Sequence, residues 1–229
     1  MLRRLFYWIS WPILFLYARI MLKYDVFKME SFPDGPKIFV ANHPSTIDPF
    51  FLAFMVSQPV HILITDMVFK IPVAGKLLRK WGHIPVVQGE GYKALDEAIA
   101  LIKSGKSIAL FPEGNISPND GGFHKPRTGA ARLALATGAA VIPVGIHISR
   151  ERIKHVPSVI GGRETVTKWY FRGPYHMTSG KALRFNGNVE DRKKVVDASR
   201  NIMDQIIYLA EISRSRMLGI NGPLLIALD

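Results

Sequence analysis

Between residues 37 and 148 the chain alternates short apolar runs with segments of helical spacing. Lys37–Ala41 reads KIFVA, follows a turn cluster at residues 31–36, and predicts a buried strand. Similar runs predict strands at Val60–Thr65, His83–Val87, Ser107–Phe111 and Ala140–Ile148. Between them, helices are expected over Pro49–Ser57, Met67–Trp81, Tyr92–Lys103 and Gly129–Thr137. In Tyr92–Lys103 the residues Leu95, Ala98, Ile99 and Ile102 share one helical face. Pro72 breaks or kinks the Met67–Trp81 helix near its start.

This alternation predicts an α/β fold: a central mixed, largely parallel sheet flanked by helices. Lys168–Arg172 and Ala182–Phe185 predict two more strands. Val189 to about Arg216 predicts a long amphipathic helix, with Val195, Ile202, Ile206 and Leu209 among its apolar positions. The tail from Leu218 to Leu228 is apolar and broken by Asn221-Gly222-Pro223. There is no internal repeat, low-complexity segment or interdomain linker.

The N-terminus is patterned differently. Leu5–Leu22 is apolar apart from Ser10 and Arg19, with Arg3 and Arg4 before it and Lys23 after. No small-residue cleavage site follows, as a signal peptide would need. Its length permits a membrane span. Arg19, Pro12 and the cluster Phe6, Tyr7, Trp8 and Trp11 favour a segment lying in a membrane interface, where amphipathic rings settle. A helix packed on the domain is the third arrangement. The expected organisation is residues 1–30 as an N-terminal membrane-interface helical segment and residues 31–229 as the α/β domain.

Composition narrows the partners. Thirty Lys and Arg face 18 Asp and Glu, for a net charge of +12. That surplus favours an anionic membrane surface or a phosphate-bearing substrate. Nucleic acid is disfavoured, because no nucleic-acid-binding motif accompanies the charge. The chain is 48% hydrophobic, with a mean hydropathy of +0.13, which is too low for a polytopic membrane protein. With no cysteine, disulfides, thiol nucleophiles and Cys-based metal sites are excluded.

The chemistry concentrates in two blocks, Asn42-His43-Pro44-Ser45-Thr46-Ile47-Asp48 and Phe111-Pro112-Glu113-Gly114. His43 and Asp48 lie five residues apart, about 140° around a straight helix. They meet only if His43 precedes the helix and folds back. Pro44 suits a first helical turn, so the helix is expected to start near Asn42 or His43, with Asp48 about one turn inside. A neutral His43 would then take a proton from a hydroxyl while Asp48 fixes its tautomer. Free N–H groups at the helix start would stabilise developing negative charge. Ser45 and Ser117 are not placed as nucleophiles, since neither sits in a nucleophile elbow. His83 and His147 lie in apolar, strand-like stretches and are read as core or edge histidines.

These blocks resemble the phospholipid/glycerol acyltransferases, typified by lysophosphatidic acid acyltransferase. The likeness rests on Asn42 to Asp48, on Phe111 to Gly114 and on the proline-containing strand Val141-Ile142-Pro143-Val144, and it covers roughly residues 35 to 150. It implies His43 as general base and Asp48 as its partner. It implies substrate binding around Asn42, Ser45, Phe111, Pro112, Glu113, Gly114 and Pro143. It also implies an acyl-CoA or acyl-carrier-protein thioester as donor, a lysophospholipid acceptor such as 1-acylglycerol-3-phosphate, and no metal or redox cofactor. The expected location is the cytoplasmic face of a membrane, the bacterial inner membrane on the compact layout, in monotopic or single-pass form.

Two positions depart from the pattern. Gln88 and Ile116 stand where the family carries arginines for the acceptor phosphate. Neither side chain reproduces a charged, bidentate guanidinium. Lys125, Arg127 or another cation is the expected replacement. The alternative is the same chemistry on a non-phosphatidate acceptor, a glycolipid or aminolipid. A hydrolase activating water and a non-catalytic membrane-binding module are the rivals from other classes.

Overall fold

The computed structural model describes residues 12, 14–56 and 59–220. Among them residues 14–21 form a helix, α1. The strands that follow are β1 (Asp25–Lys28), β2 (Lys37–Ala41), β3 (Val60–Thr65), β4 (Ile84–Val86), β5 (Ser107–Leu110), β6 (Ala140–Ile148), β7 (Lys154–Ile160), β8 (Arg163–Trp169) and β9 (Tyr175–Ser179). The helices are α2 (Asp48–Phe54), α3 (Ala74–Lys80), α4 (Gly91–Lys103), α5 (Gly129–Thr137) and α6 (Arg192–Met217). Seven strands make one sheet in the order β1-β9-β6-β2-β5-β3-β4. The run β6-β2-β5-β3-β4 is parallel, and β9 joins antiparallel to β6. Strands β7 and β8 form a separate hairpin.

Period-two alternation divides the core. Phe39 and Ala41 of β2 face a cluster with Leu22 of α1, Phe51 and Leu52 of α2 and Tyr175 of β9. Ile38 and Val40 face the opposite cluster, with Ala98 of α4, Ala131 of α5 and Ile202 of α6. Helix α6 lies directly on β6, because Gly145 has no side chain. A Cβ there would fall 2.0 Å from the Ala210 nitrogen.

Several expectations change. The helix near His43 begins at Asp48, followed by Pro49, and not at Pro44. Residues 42–47 are a loop, so His43 and Pro44 precede the helix and the first helical residue is Asp48 itself. Met67–Trp81 is interrupted, with a 3-10 turn over Asp66–Lys70 and α3 resuming after Pro72. Of the strand expected at Lys168–Arg172 only Lys168 and Trp169 are strand, as the end of the longer β8, and residues 170–172 are not. Ala182–Phe185 reduces to a single bridge between Val141 and Leu183. Part of the N-terminal segment belongs to the core, since Ala18 and Leu22 are fully buried and β1 pairs with β9. Residues 1–11 of that segment and the tail beyond residue 220 lie outside the described residues. Among the described residues no helix is long and apolar enough to cross a membrane.

Candidate active site

Parallel register brings the two blocks to one edge of the sheet. Val40 of β2 pairs with Leu110 of β5. His43 and Glu113 therefore each leave the sheet three residues past the same rung. Asn42 pins the first loop, with its amide donating to the Ile146 carbonyl at 2.9 Å and accepting from the Ile146 N–H at 2.7 Å. Tyr175 reaches the same edge because β9 runs antiparallel to β6 and pairs it with Ile148.

His43 folds back onto Asp48. Its Nδ1 lies 2.8 Å from Asp48 Oδ2, with side-chain exposures of 17% and 0%. Asp48 Oδ2 also accepts from the Ser45 N–H at 2.7 Å, and Asp48 Oδ1 accepts from the Tyr175 hydroxyl at 2.7 Å. Three donors thus satisfy a buried carboxylate. A carboxylate only accepts, so Nδ1 carries the imidazole hydrogen and Nε2 presents a lone pair. Among the described residues Nε2 has no protein partner. Phe111 stacks on the ring at 4.2 Å between centroids, with 19° between planes, and limits its rotation. Burial and the neighbouring Asp48 push the Tyr175 hydroxyl well above the ordinary tyrosine range, so it stays a neutral donor.

Glu113 grips the backbone of His43. Its Oε1 accepts from the His43 N–H at 3.1 Å and from the Ser117 hydroxyl at 2.6 Å. Its Oε2 accepts from the His124 N–H at 2.8 Å. The Ser117 N–H returns to the His43 carbonyl at 2.8 Å. Gly114 adopts a left-handed φ of 65°, and the Arg127 side chain lies across it. A Cβ at Gly114 would fall 2.3 Å from Arg127 Nε.

The other expected residues are dispersed. Ser45 is fully buried, and its hydroxyl donates to the Lys168 carbonyl at 2.9 Å. Asn42 and Ser45 therefore direct their polar groups into the protein. Pro112 is buried and its carbonyl accepts from the Arg127 N–H at 2.8 Å. Lys125 is exposed. Pro143 sits inside β6, just past the end of the β9 ladder, where its carbonyl accepts from Gly180. A small cleft of about 70 Å³ adjoins Asn42, Pro44, Ser117 and Gly122. Among the described residues no group of three or more His, Cys, Asp or Glu is placed to hold a metal ion.

Tyr175, Ser117 and Lys168 were not picked out by the sequence for these positions. Lys168 Nζ donates to the Ser117 carbonyl, and its backbone pairs with Thr46. Burial lowers the Lys168 amine from its ordinary value, against the opposing pull of Glu113 and Asp120. Arg163, at the tip of the hairpin, donates to Gln88 Oε1 at 3.1 Å. A cation from β8 thus stands beside one of the two positions that lack an arginine.

Known proteins share this arrangement of sequence and fold. A chloroplastic 1-acyl-sn-glycerol-3-phosphate acyltransferase of Brassica napus is 31% identical over 127 residues, covering 53% of this chain and 36% of the relative. A 1-acyl-sn-glycerol-3-phosphate acyltransferase of Borreliella burgdorferi is 28% identical over 131 residues, covering 55% of this chain and 52% of the relative. This chain thus spans only about a third to a half of these curated relatives. The crystal structure of the 1-acyl-sn-glycerophosphate acyltransferase PlsC from Thermotoga maritima superposes with a TM-score of 0.55 at 25% identity. That match covers 80% of this chain and 73% of the other. The family model described as Acyltransferase matches residues 23–147, more than half of the chain, with His43, Asp48 and Glu113 inside it, and the chain belongs to that family.

Proposed function

We propose that the protein moves a fatty acyl group from an acyl thioester to the hydroxyl of a lysophospholipid such as 1-acylglycerol-3-phosphate, in phospholipid biosynthesis. The observation that carries this reading is the His43–Asp48 pair with Nε2 free. His43 Nε2 takes the acceptor hydroxyl proton as that oxygen attacks the thioester carbonyl. Asp48 holds the resulting imidazolium. The tetrahedral intermediate collapses, the carbon–sulfur bond breaks, and the thiolate leaves with the proton from His43. No enzyme nucleophile is required.

Lys168, Arg127 and Arg163 support a phosphate-bearing acceptor, because each places a cation beside Ser117, Gly114 or Gln88. The donor is acyl-CoA or an acyl-carrier-protein thioester, met at the cytoplasmic face of a membrane. The apolar N-terminal segment and the charge of +12 support that location. A panel comparing lysophosphatidate with a phosphate-free monoacylglycerol and a lysoglycolipid tests the acceptor. Preference for lysophosphatidate that weakens in Lys168→Gln supports the reading. Equal use of the phosphate-free acceptors overturns it in favour of a glycolipid or aminolipid.

A further inference from the structure

The β7–β8 hairpin lies beyond residues 23–147, the segment that the family model matches. Its two strands pair with each other and, among the described residues, with no other strand. It is tied down by side chains instead. At its tip Arg163 donates to Gln88, and Gly161 lies against Met67 and Lys70. In β7, His155 Nε2 lies 3.1 Å from Asn119 Oδ1. In β8, Lys168 reaches the loops that carry the catalytic pair.

Lys168 bonds in two directions. Its carbonyl accepts from the Thr46 N–H at 2.8 Å and from the Ser45 hydroxyl at 2.9 Å, and its N–H donates to Thr46 Oγ1 at 3.2 Å. Its amine crosses to the Ser117 carbonyl. Both serines have further bonds on the catalytic pair. Ser45 N–H donates to Asp48 Oδ2. Ser117 N–H donates to the His43 carbonyl, and the Ser117 hydroxyl shares Glu113 Oε1 with the His43 N–H. One residue therefore joins the loop of His43 and Asp48 to the loop of Glu113. A neutral donor would serve the Ser117 carbonyl at a smaller desolvation cost than a half-buried lysine. The charge is matched to Glu113, which is only 3% exposed and favours the charged form of the amine.

We infer that Lys168 is a positioning residue: through Ser45 and Ser117 it fixes the His43 ring against Asp48 and so sets the reach of Nε2 toward the acceptor hydroxyl. The bonds that carry this role end on protein groups, so it is separate from any contact with an acceptor phosphate. A phosphate contact acts on one class of acceptor, whereas a displaced base slows them all. A misplacement of about 1 Å is enough to cost about a hundredfold in rate. The effect on rate rests on the acyl-transfer reading, and the effect on the ring does not.

The test compares Lys168→Met, which keeps the stem and removes the donor, with Lys168→Arg, which keeps a charged donor, in the full chain. Lys154→Met removes an equal charge from an exposed position of the same hairpin and should match the parent. Lys168→Met should lower kcat about ten- to a hundredfold on lysophosphatidate and on a phosphate-free monoacylglycerol alike, with the monoacylglycerol KM within a few-fold of the parent. Lys168→Arg should recover most of that loss. A loss confined to lysophosphatidate would make Lys168 a phosphate contact alone and overturn the inference. The ring is read without turnover, by nitrogen NMR of isotopically labelled histidine, with the His43 signals assigned by their disappearance in His43→Ala. The parent should show one neutral tautomer with its hydrogen on Nδ1, and Lys168→Met a mixture of the two. A single Nδ1–H tautomer in folded Lys168→Met overturns the inference whatever the rates. A mixture in that variant, with no acceptor-dependent thiol release in the parent, keeps the positioning role and removes the acyl-transfer reading instead. Melting temperatures check folding. Should Lys168→Met misfold, Thr46→Val decides, since it removes the acceptor of the Lys168 N–H. A several-fold fall in kcat with mixed tautomers supports the inference, and parental turnover with one tautomer overturns it.

Discussion

Two carboxylates hold one histidine, and they hold different parts of it. Asp48 bonds the ring of His43 at Nδ1, while Glu113 bonds its main-chain N–H. Asp48 is placed by its own helix start and by Tyr175, and it decides which ring nitrogen carries the hydrogen. Glu113 is placed by β5 and joins Ser117 and His124, so it decides where the loop sits. The lesson is that two acids near one base need not share a role. One tunes proton transfer and the other tunes position.

The sharpest way to break that comparison is Asp48→Asn. The amide accepts poorly from Nδ1–H and permits the wrong tautomer, so turnover should fall about 10²- to 10⁴-fold with little change in substrate KM. A comparable fall in KM-dependent binding alone would contradict the ring-orienting role.

Histidines without a carboxylate give the next contrast. Burial pushes His83 down to about 4, with His61 adding to the effect. Burial also pushes His147 down to about 4, with Arg214 and Arg150 contributing. Their folded values lie below the unfolded value near 6.5, so the unfolded chain binds the extra protons first. Stability should fall as pH drops from about 6.5 toward 4, by of order 2 kcal/mol per histidine after allowance for partial exposure. Denaturant unfolding across that range should show a shallower pH slope in His83→Gln than in the parent. An unchanged slope would remove His83 from the account.

Glu113→Gln should be milder. The amide oxygen keeps the His43 and Ser117 bonds, but its NH₂ then faces the His124 N–H, at a cost of about 1–3 kcal/mol. The expectation is a lower melting temperature and a raised acceptor KM, with the pH profile of turnover unmoved. A shifted pH profile would mean that Glu113 acts on the ring after all.

Tyr175→Phe is the smallest change. It removes one of three donors to Asp48 and should cost about 1–1.5 kcal/mol of stability, with a several-fold loss of turnover. No effect on turnover would show that Ser45 and His43 suffice to orient Asp48.

The sequence made the parallel half of the fold readable and left the rest obscure, for physical reasons. Strands β2, β3, β5 and β6 are apolar runs bounded by turns, and their expected limits match to within a residue. Strands β1 and β9 read Asp-Val-Phe-Lys and Tyr-His-Met-Thr-Ser, which carry no clear period. In β7 Pro157 argues against a strand, although this hairpin pairs with no other sheet and tolerates it. The signal that was available is Gly161-Gly162, both at positive φ in a two-residue turn between Ile160 and Arg163. His43 and Asp48 were readable because they share one short block with Asn42 and Pro44, after an apolar strand and ahead of the Phe111–Gly114 block. Tyr175 is 127 residues from Asp48, and no local pattern announces that contact. The apolar run placed the start of α2 within a residue, at Pro49, whereas the argument from Pro44 put a helix start near Asn42 or His43; both prolines suit a first turn, and the helix uses the second.

The most direct measurement is thiol release from an acyl thioester by the purified chain in lipid vesicles, with and without lysophosphatidate, for the parent and for His43→Ala. The account predicts release that depends on the acceptor and falls at least about 10²- to 10⁴-fold in the variant. Release that proceeds equally without acceptor, or that survives the loss of the imidazole, would contradict it.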